Sequence, residues 1–441
     1  MGVPAGLSII NPLLGIHVRS DMLNQSPLRH RASRPIVGVL ALLTVVNLGI
    51  ATSYPLLWGS VVSQGLYWRA DFTAFYTGGL LVQRGITEGL YDYGLQAEVQ
   101  REILDGQHLA GGLLAFNYPP HVALLVAPLT KLQLRDAYIV WSVIQFGLVI
   151  ALGIGLWRYG SEERYSVRGR LAITAATLAL PAVMVTLLIG AFSMLMLVAL
   201  LGFVVALKRG DDVSAALWVL VTSLKPQVAL VPAVILLAAR RWRAVSLALA
   251  GLLVVVGVCA VALGVDSWRG FLAATLTTFR AQEAFGVSVG DMVNFRGFLQ
   301  AISCGQPTDR WVSWVSLGAF LCAQVAIVAL WLSDLPNRYL DLVLGWSVLV
   351  GVFFSLHANP QDGFFVVPAA LLFNDHRRGL GCRQGGYTVF LFACPALLLI
   401  AEYLFPTGLS IPAMAASASV LLIWMTVGLW HAWATSRRGI D

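Results

Sequence analysis

The chain has 441 residues, of which 58% are hydrophobic and 12% charged, with a mean hydropathy of +0.78. That much apolar surface exceeds what a soluble fold of this length hides, so the composition reads as an all-α polytopic membrane protein. The formal net charge of +7 does not point to nucleic acid, because the arginines fall in short runs between apolar segments, where they set orientation in a bilayer.

Met1 to Leu14 is apolar but short, and Arg19, Arg29, Arg31 and Arg34 follow it rather than precede it. Residues 1–35 therefore read as a cytoplasmic tail, and the first span as a signal anchor. Apolar stretches lie near 36–58, 137–157, 171–189, 191–207, 213–239, 244–264, 311–333, 339–356, 363–373, 387–405 and 411–433. Most reach the roughly 20 residues a helix needs to cross the hydrocarbon core. Tyr118 to Leu129 is shorter and carries Pro119, Pro120 and Pro128, so it reads as interfacial or re-entrant. The stretch 213–239 is interrupted by Leu224-Lys225-Pro226 and reads as a helical hairpin, with one broken span as the alternative.

The basic runs fix the orientation. Arginines before residue 35, Arg158 with Arg164, Arg168 and Arg170, Lys208-Arg209, Arg240-Arg241 with Arg243, Arg377-Arg378 with Arg383, and Arg437-Arg438 are all cytoplasmic together if 213–239 crosses twice and 118–129 does not span. This predicts a bundle of about 10–13 transmembrane helices, with interfacial helices in the first outer loop. One domain over 36–433 follows, with outer loops near 59–136 and 265–310 and a cytoplasmic tail over 434–441. The alternative, a span at 118–129 and a single broken helix over 213–239, puts Arg158–Arg170 and Lys208-Arg209 on the far side.

Either way the same polar groups fall outside: Asp71 in the first loop, Asp291, Asn294 and Arg296 in the second, and the turn His357 to Asp362. Lys225 joins them at the tip of the hairpin. Ionisable groups gathered on one face of an apolar bundle are costly unless they line a hydrated cavity, which makes the set a candidate site. Carboxylates suit proton removal, and a lysine and an arginine suit phosphate.

Four short patterns then occur in order: Asp71-Phe72 with Tyr76, followed by Gly89-Leu90-Tyr91-Asp92; Tyr118-Pro119-Pro120 with Pro128; Lys225-Pro226-Gln227 followed by Arg241-Trp242-Arg243; and His357 with Asp362. Together, over about 68–375, they resemble glycosyltransferase family 87, whose members have the GT-C membrane fold. The resemblance implies inverting transfer of a sugar, typically mannose, from a polyprenyl-phosphate donor to a lipid or glycan acceptor on the outer face of the plasma membrane. In that scheme Asp71 is the general base, and Lys225, His357, Asp362, Arg296, Asn294, Tyr76 and Tyr118 bind donor phosphate or substrate. The chain departs from the family pattern at Gly190-Ala191-Phe192-Ser193, where a G-Q-x-N turn is expected, and at Gln361, where a tyrosine is expected.

No cofactor is called for: a lipid phosphate leaves readily when a cation takes up its charge, and one base suffices for inversion. A glycoside hydrolase needs a second, paired carboxylate that nothing here places. Each residue also has a plainer role open to it. Asp71 is well placed to cap a helix starting at Phe72, Lys225 to snorkel to head groups, His357 and Asp362 to satisfy one another, Asp92 to order the first loop, and Asp211-Asp212 to form a solvated turn. The five cysteines show no metal spacing. A transporter or flippase for a lipid-linked or polar solute is the competing class; it calls for internal symmetry and paired broken helices, neither of which is visible. A non-catalytic scaffold, indifferent to Asp71, is a third.

Overall fold

A computed structural model describes residues 34–104, 106–107, 109, 113–159, 165–280, 292–303, 310–379 and 410–438. Among the described residues every regular element is helical. The first helix, α1 (Arg34–Ser63), leads into a compact loop module: a 3-10 turn Leu66–Arg69, α2 (Phe72–Gln83), α3 (Tyr93–Ile103), α4 (Pro120–Val126) and a 3-10 turn Ala127–Lys131. The helix expected after Asp71 is present and packs into the protein, with Phe72 through Leu81 all buried. Gly78 and Gly79 permit this, since a Cβ on Gly79 would stand 2.9 Å from the Ala127 nitrogen and one on Gly78 would stand 2.6 Å from the Phe116 ring. The segment at 118–129 is, as its prolines suggest, too short to span.

The bundle follows: α5 (Leu134–Tyr159), α6 (Val167–Leu178), α7 (Pro181–Ile189), α8 (Ser193–Arg209), α9 (Asp212–Thr222), α10 (Pro226–Ala238), α11 (Trp242–Leu263), α12 (Asp266–Arg280), α13 (Phe295–Ile302), α14 (Arg310–Trp331), α15 (Leu335–Phe353), α16 (Val366–Gly379) and α17 (Ser410–Arg438). Among the described residues four helices are long and apolar enough to cross a membrane on their own, namely Gly38–Ser63, Leu134–Tyr159, Trp242–Leu263 and Trp311–Trp331. The bent pair α6 and α7 makes a fifth, broken by 47°. Pro181 interrupts the helical ladder there, and the Tyr54 hydroxyl donates to the Ala179 carbonyl at 2.5 Å. These spans expose apolar side chains such as Leu56, 77% exposed, and Val261, 89% exposed, which is the arrangement lipid requires. The protein is thus an all-α polytopic membrane protein. The larger expected number of crossings depends on helices that are shorter, such as α8 with 17 residues and α16 with 14.

The hairpin at 213–239 is present. Arg241, which opens α11 at the end of α10, donates to Asp212 Oδ1 at 2.8 Å and to the Gly210 carbonyl at 2.8 Å, so the start of α9 and the end of α10 meet. The two helices therefore run antiparallel, with Lys225 at the tip. With 11 and 13 residues they rise only about 17 and 20 Å, short of the roughly 30 Å core of a bilayer.

The described basic runs between α5 and α16 gather at one end, as the charge pattern requires. Lys208 bridges Asp341 at 2.7 Å and Asp375 at 3.8 Å. Asp375 also accepts from Tyr159 at 2.5 Å and Tyr165 at 2.7 Å, and the Arg378 guanidinium lies 4.2 Å from the centre of the Tyr165 ring. At the other end of α8 lies the candidate site.

Candidate active site

Four pieces of chain meet there: the start of α2, the start of α8, the tip of the α9–α10 hairpin, and the turn between α15 and α16. In that turn Pro360–Phe365 forms a 3-10 helix, which presents Gln361 and Asp362 to opposite neighbours.

Asp362 is 1% exposed and Lys225 2%, and the two form a buried ion pair through Asp362 Oδ1. A buried pair survives only if its remaining valences are satisfied. The Ser193 hydroxyl donates to the same Oδ1 at 2.7 Å, and the Asn359 backbone N–H donates to Oδ2 at 3.1 Å. Lys225 is delivered to this depth because Pro226 starts α10 and the three residues before it close the hairpin. An ammonium has three donors, so the bond to Asp362 leaves it able to meet an incoming oxyanion as well.

Asp71 occupies the N-cap position of α2 but makes no capping hydrogen bond. Its Oδ2 instead accepts from the Gln361 side-chain amide at 3.2 Å. Burial pushes its carboxyl up to about 6, with Lys225 pulling downward and Asp362 adding to the rise. A carboxyl so poised gains or loses a proton near neutral pH, as an acid–base catalyst must.

Tyr118 stands beside these groups. Its ring packs edge-on against Phe75 at 4.8 Å, and its carbonyl accepts from the Tyr91 hydroxyl at 2.7 Å. Burial, and then the charges of Asp71 and Asp362, hold its phenol well above the usual range, so it is present as a neutral hydroxyl. His357 is kept neutral too: burial first, then Lys225, lowers its pKa to about 4, with Arg296 contributing and Asp362 opposing.

The other expected residues sit further out. Arg296 donates to the Ser313 hydroxyl at 3.0 Å and the Leu356 carbonyl at 3.4 Å, so it braces the turn ahead of His357. Asn294 caps α13, accepting from Gly297 N at 3.1 Å and donating to the Ser355 carbonyl at 2.7 Å. Tyr76 is turned away and donates to the Leu132 carbonyl at 2.8 Å. Asp92 caps α3 by accepting from Gly94 N and Leu95 N, and Asp211 caps α9 by accepting from Ser214. Asp291 lies outside the described residues. Among the described residues no group of three acidic, histidine or cysteine side chains has metal-binding geometry.

Two members of the site were not among the expected residues: Ser193 and Gln361. Both stand at the positions where the chain departs from the family pattern, which was the available signal.

The fold and the site define an integral-membrane protein with a buried cluster of Asp71, Lys225 and Asp362 at the end opposite its basic face. The sequence model of glycosyltransferase family 87 matches residues 116–360, more than half of the chain, and the chain belongs to that family. It is accordingly a membrane glycosyltransferase. The matched stretch contains Tyr118, Ser193, Lys225, Asn294, Arg296 and His357, while Asp71, Gln361 and Asp362 lie outside it. No curated protein matches the chain significantly.

Proposed function

We propose that this enzyme transfers a hexose, mannose in the first instance, from a polyprenyl-phosphate donor to a lipid or glycan acceptor, with inversion at the anomeric carbon and Asp71 as general base. The observation that carries the reading is the carboxyl of Asp71, raised to about 6 beside a buried lysine. Above that pH it is ionised and accepts the proton of an acceptor hydroxyl as that oxygen attacks the anomeric carbon. The new glycosidic bond forms as the bond from the anomeric carbon to the phosphate oxygen breaks. The departing electron pair stays on the lipid phosphate, where Lys225 takes up the charge and Arg296 supports it at longer range. His357 and Tyr118, both neutral, and Asp362, paired with Lys225, shape the donor pocket, with Asn294 and Tyr76 in supporting structural positions. With the basic face in the cytoplasm, the chemistry takes place toward the outer leaflet of the plasma membrane, where a lipid-linked donor is presented by the bilayer itself.

The test is transfer of radiolabelled sugar from a panel of polyprenyl-phosphate donors into membrane lipids, comparing wild type with Asp71→Asn at matched expression. Product formed by the wild type and lost in the variant supports the proposal. Equal transfer by both removes Asp71 from the mechanism. Absence of transfer from every donor, with acceptor lipids present, favours transport of a lipid-linked solute instead.

A further inference from the structure

Helix α5 turns one face toward the chain that joins α7 to α8, beside the candidate site but outside the residues assigned to its chemistry. Val140, Val143 and Ile144 are exposed, while Tyr138, Trp141 and Gln145, which recur at the spacing of a single helix face, are buried. All three buried side chains donate to backbone carbonyls of the turn: the Tyr138 hydroxyl to Leu188 at 2.7 Å, Trp141 Nε1 to Gly190 at 2.7 Å, and Gln145 Nε2 to Ala191 at 2.5 Å. A helix leaves its last carbonyls unmatched, and α5 matches those at the end of α7. Gly190 adopts φ +67° there, and a Cβ on it would stand 3.0 Å from Phe72 Cβ and 3.2 Å from Trp141 Cδ1, so the turn is seated directly against α2 and α5.

Gln145 is the telling member of the three. Its Oε1 is buried and has no hydrogen-bond partner among the described residues, a cost that a leucine of similar size would not carry. Packing therefore does not account for a glutamine at this depth, whereas its bond to Ala191 does.

The turn reaches both halves of the site. Two residues beyond Ala191, the Ser193 hydroxyl donates to Asp362, and the Thr186 hydroxyl stands 3.5 Å from the Gln361 carbonyl oxygen. Gln361 in its turn holds Asp71, and Phe72, next to Asp71, stacks on Trp141 with ring centres 5.8 Å apart. Trp141 thus contacts both the chain that carries Asp71 and the turn that leads to Ser193.

We propose that Trp141 and Gln145 are positioning residues of the transfer reaction: from α5 they fix the α7–α8 turn, and through Ser193 and the 3-10 helix they set the place of the Asp71 carboxyl relative to the Lys225–Asp362 pair. The catalytic part of this inference rests on Asp71 as the base.

The test uses the purified full chain with Trp141→Phe, which keeps the ring and deletes the N–H, and Gln145→Leu, which keeps the bulk and deletes the amide. Each is made with and without Asp71→Asn. The difference in thermal unfolding between each pair, followed across pH 4–8, reports the titration of the Asp71 carboxyl without recourse to activity. Asp71 is faced by Lys225, Asp362 and Tyr118 as well as by the Gln361 amide; loosening that amide disfavours the charged form, so the titration is expected to move upward by at least about half a unit. In transfer assays kcat is expected to fall at least tenfold with KM for the acceptor within twofold. Tyr54→Phe is the control: it deletes a comparable bond, to the Ala179 carbonyl at the opposite end of α7, and is expected to lower stability at every pH while leaving the Asp71 titration and kcat unchanged. A residue that only stabilises the fold behaves like this control, so an unmoved Asp71 titration in Trp141→Phe and Gln145→Leu overturns the proposal, as does a kcat equal to the wild type. Transfer retained by Asp71→Asn instead overturns the base reading, and the titration then decides on its own whether α5 positions the carboxyl. Should Trp141→Phe fail to fold, Gln145→Leu decides alone.

Discussion

Gln361 donates to Asp71 across 290 positions of sequence, and its neighbour Asp362 holds Lys225 and Ser193. One short 3-10 helix thereby positions two carboxylates in different ways: one paired and fully satisfied, the other raised in pKa with an amide as its hydrogen-bond donor.

Asp71→Asn separates function from stability. Loss of a general base is expected to lower transfer by about 10²–10⁴-fold. The fold should gain, because a carboxyl shifted from 3.8 to about 6 contributes stability that is present in full below pH 4 and is lost as pH rises through 6. Asparagine escapes that loss and still accepts from Gln361. Thermal unfolding at pH 7.5 should therefore favour the variant by about 1–3 kcal/mol, and the gap should close near pH 4. A gap independent of pH contradicts the assignment.

The pH dependence of transfer should show an acid limb near the Asp71 value of about 6. Activity is expected to rise as pH increases through it, since the ionised form is the proposed base. Gln361→Leu removes a hydrogen bond that favours the charged form, so the limb should move upward by about half a unit to one unit. Initial rates across pH 5–8 for wild type and variant check both statements. His357, lowered to about 4, contributes no limb in that range.

Lys225 and Asp362 should behave as a pair. Removing one partner leaves a buried charge unmatched, so Lys225→Met and Asp362→Asn are each expected to cost about 3–5 kcal/mol. The double variant should cost clearly less than the two together, which a double-mutant cycle from chemical unfolding will show. Additive losses would mean that the two side chains are not coupled.

Tyr76 and Asn294 provide contrasts. Tyr76→Phe deletes the bond to the Leu132 carbonyl and is expected to cost about 0.5–1.5 kcal/mol, while transfer continues at near the wild-type rate. Asn294→Ala removes the cap of α13 and should cost about 1 kcal/mol or somewhat more. A hundredfold loss of transfer in Tyr76→Phe would instead place its hydroxyl against substrate.

Much of this was legible from the residues. Hydropathy marked the apolar helices, and the basic runs marked the shared face where Lys208, Arg241 and Arg378 now lie. Leu224-Lys225-Pro226 marked the hairpin tip, because proline cannot continue the preceding helix. What hydropathy and charge do not encode is how short helices stack. Ser193 meets Asp362 across 169 positions, and Gln361 meets Asp71 only because the 3-10 turn lies against the start of α2. Uncharged polar residues inside apolar runs carry no mark of such partners. For the same reason Asn294 and Tyr76 were legible as polar or aromatic groups, but not as groups committed to backbone carbonyls.

The helix α8 has a consequence for how the enzyme tolerates its surroundings. Its first residue, Ser193, is tied to Asp362, and near its last turn Lys208 is tied to Asp341 and Asp375. All three carboxylates belong to the continuous stretch running from α15 through the turn into α16, so α8 acts as a strut of 17 residues, about 25 Å long, clamped at both ends by one segment. A bilayer that thickens or thins would be met by tilting of the lipid-facing spans, while the distance between the Asp362 cluster and the basic face stays set by the length of the strut.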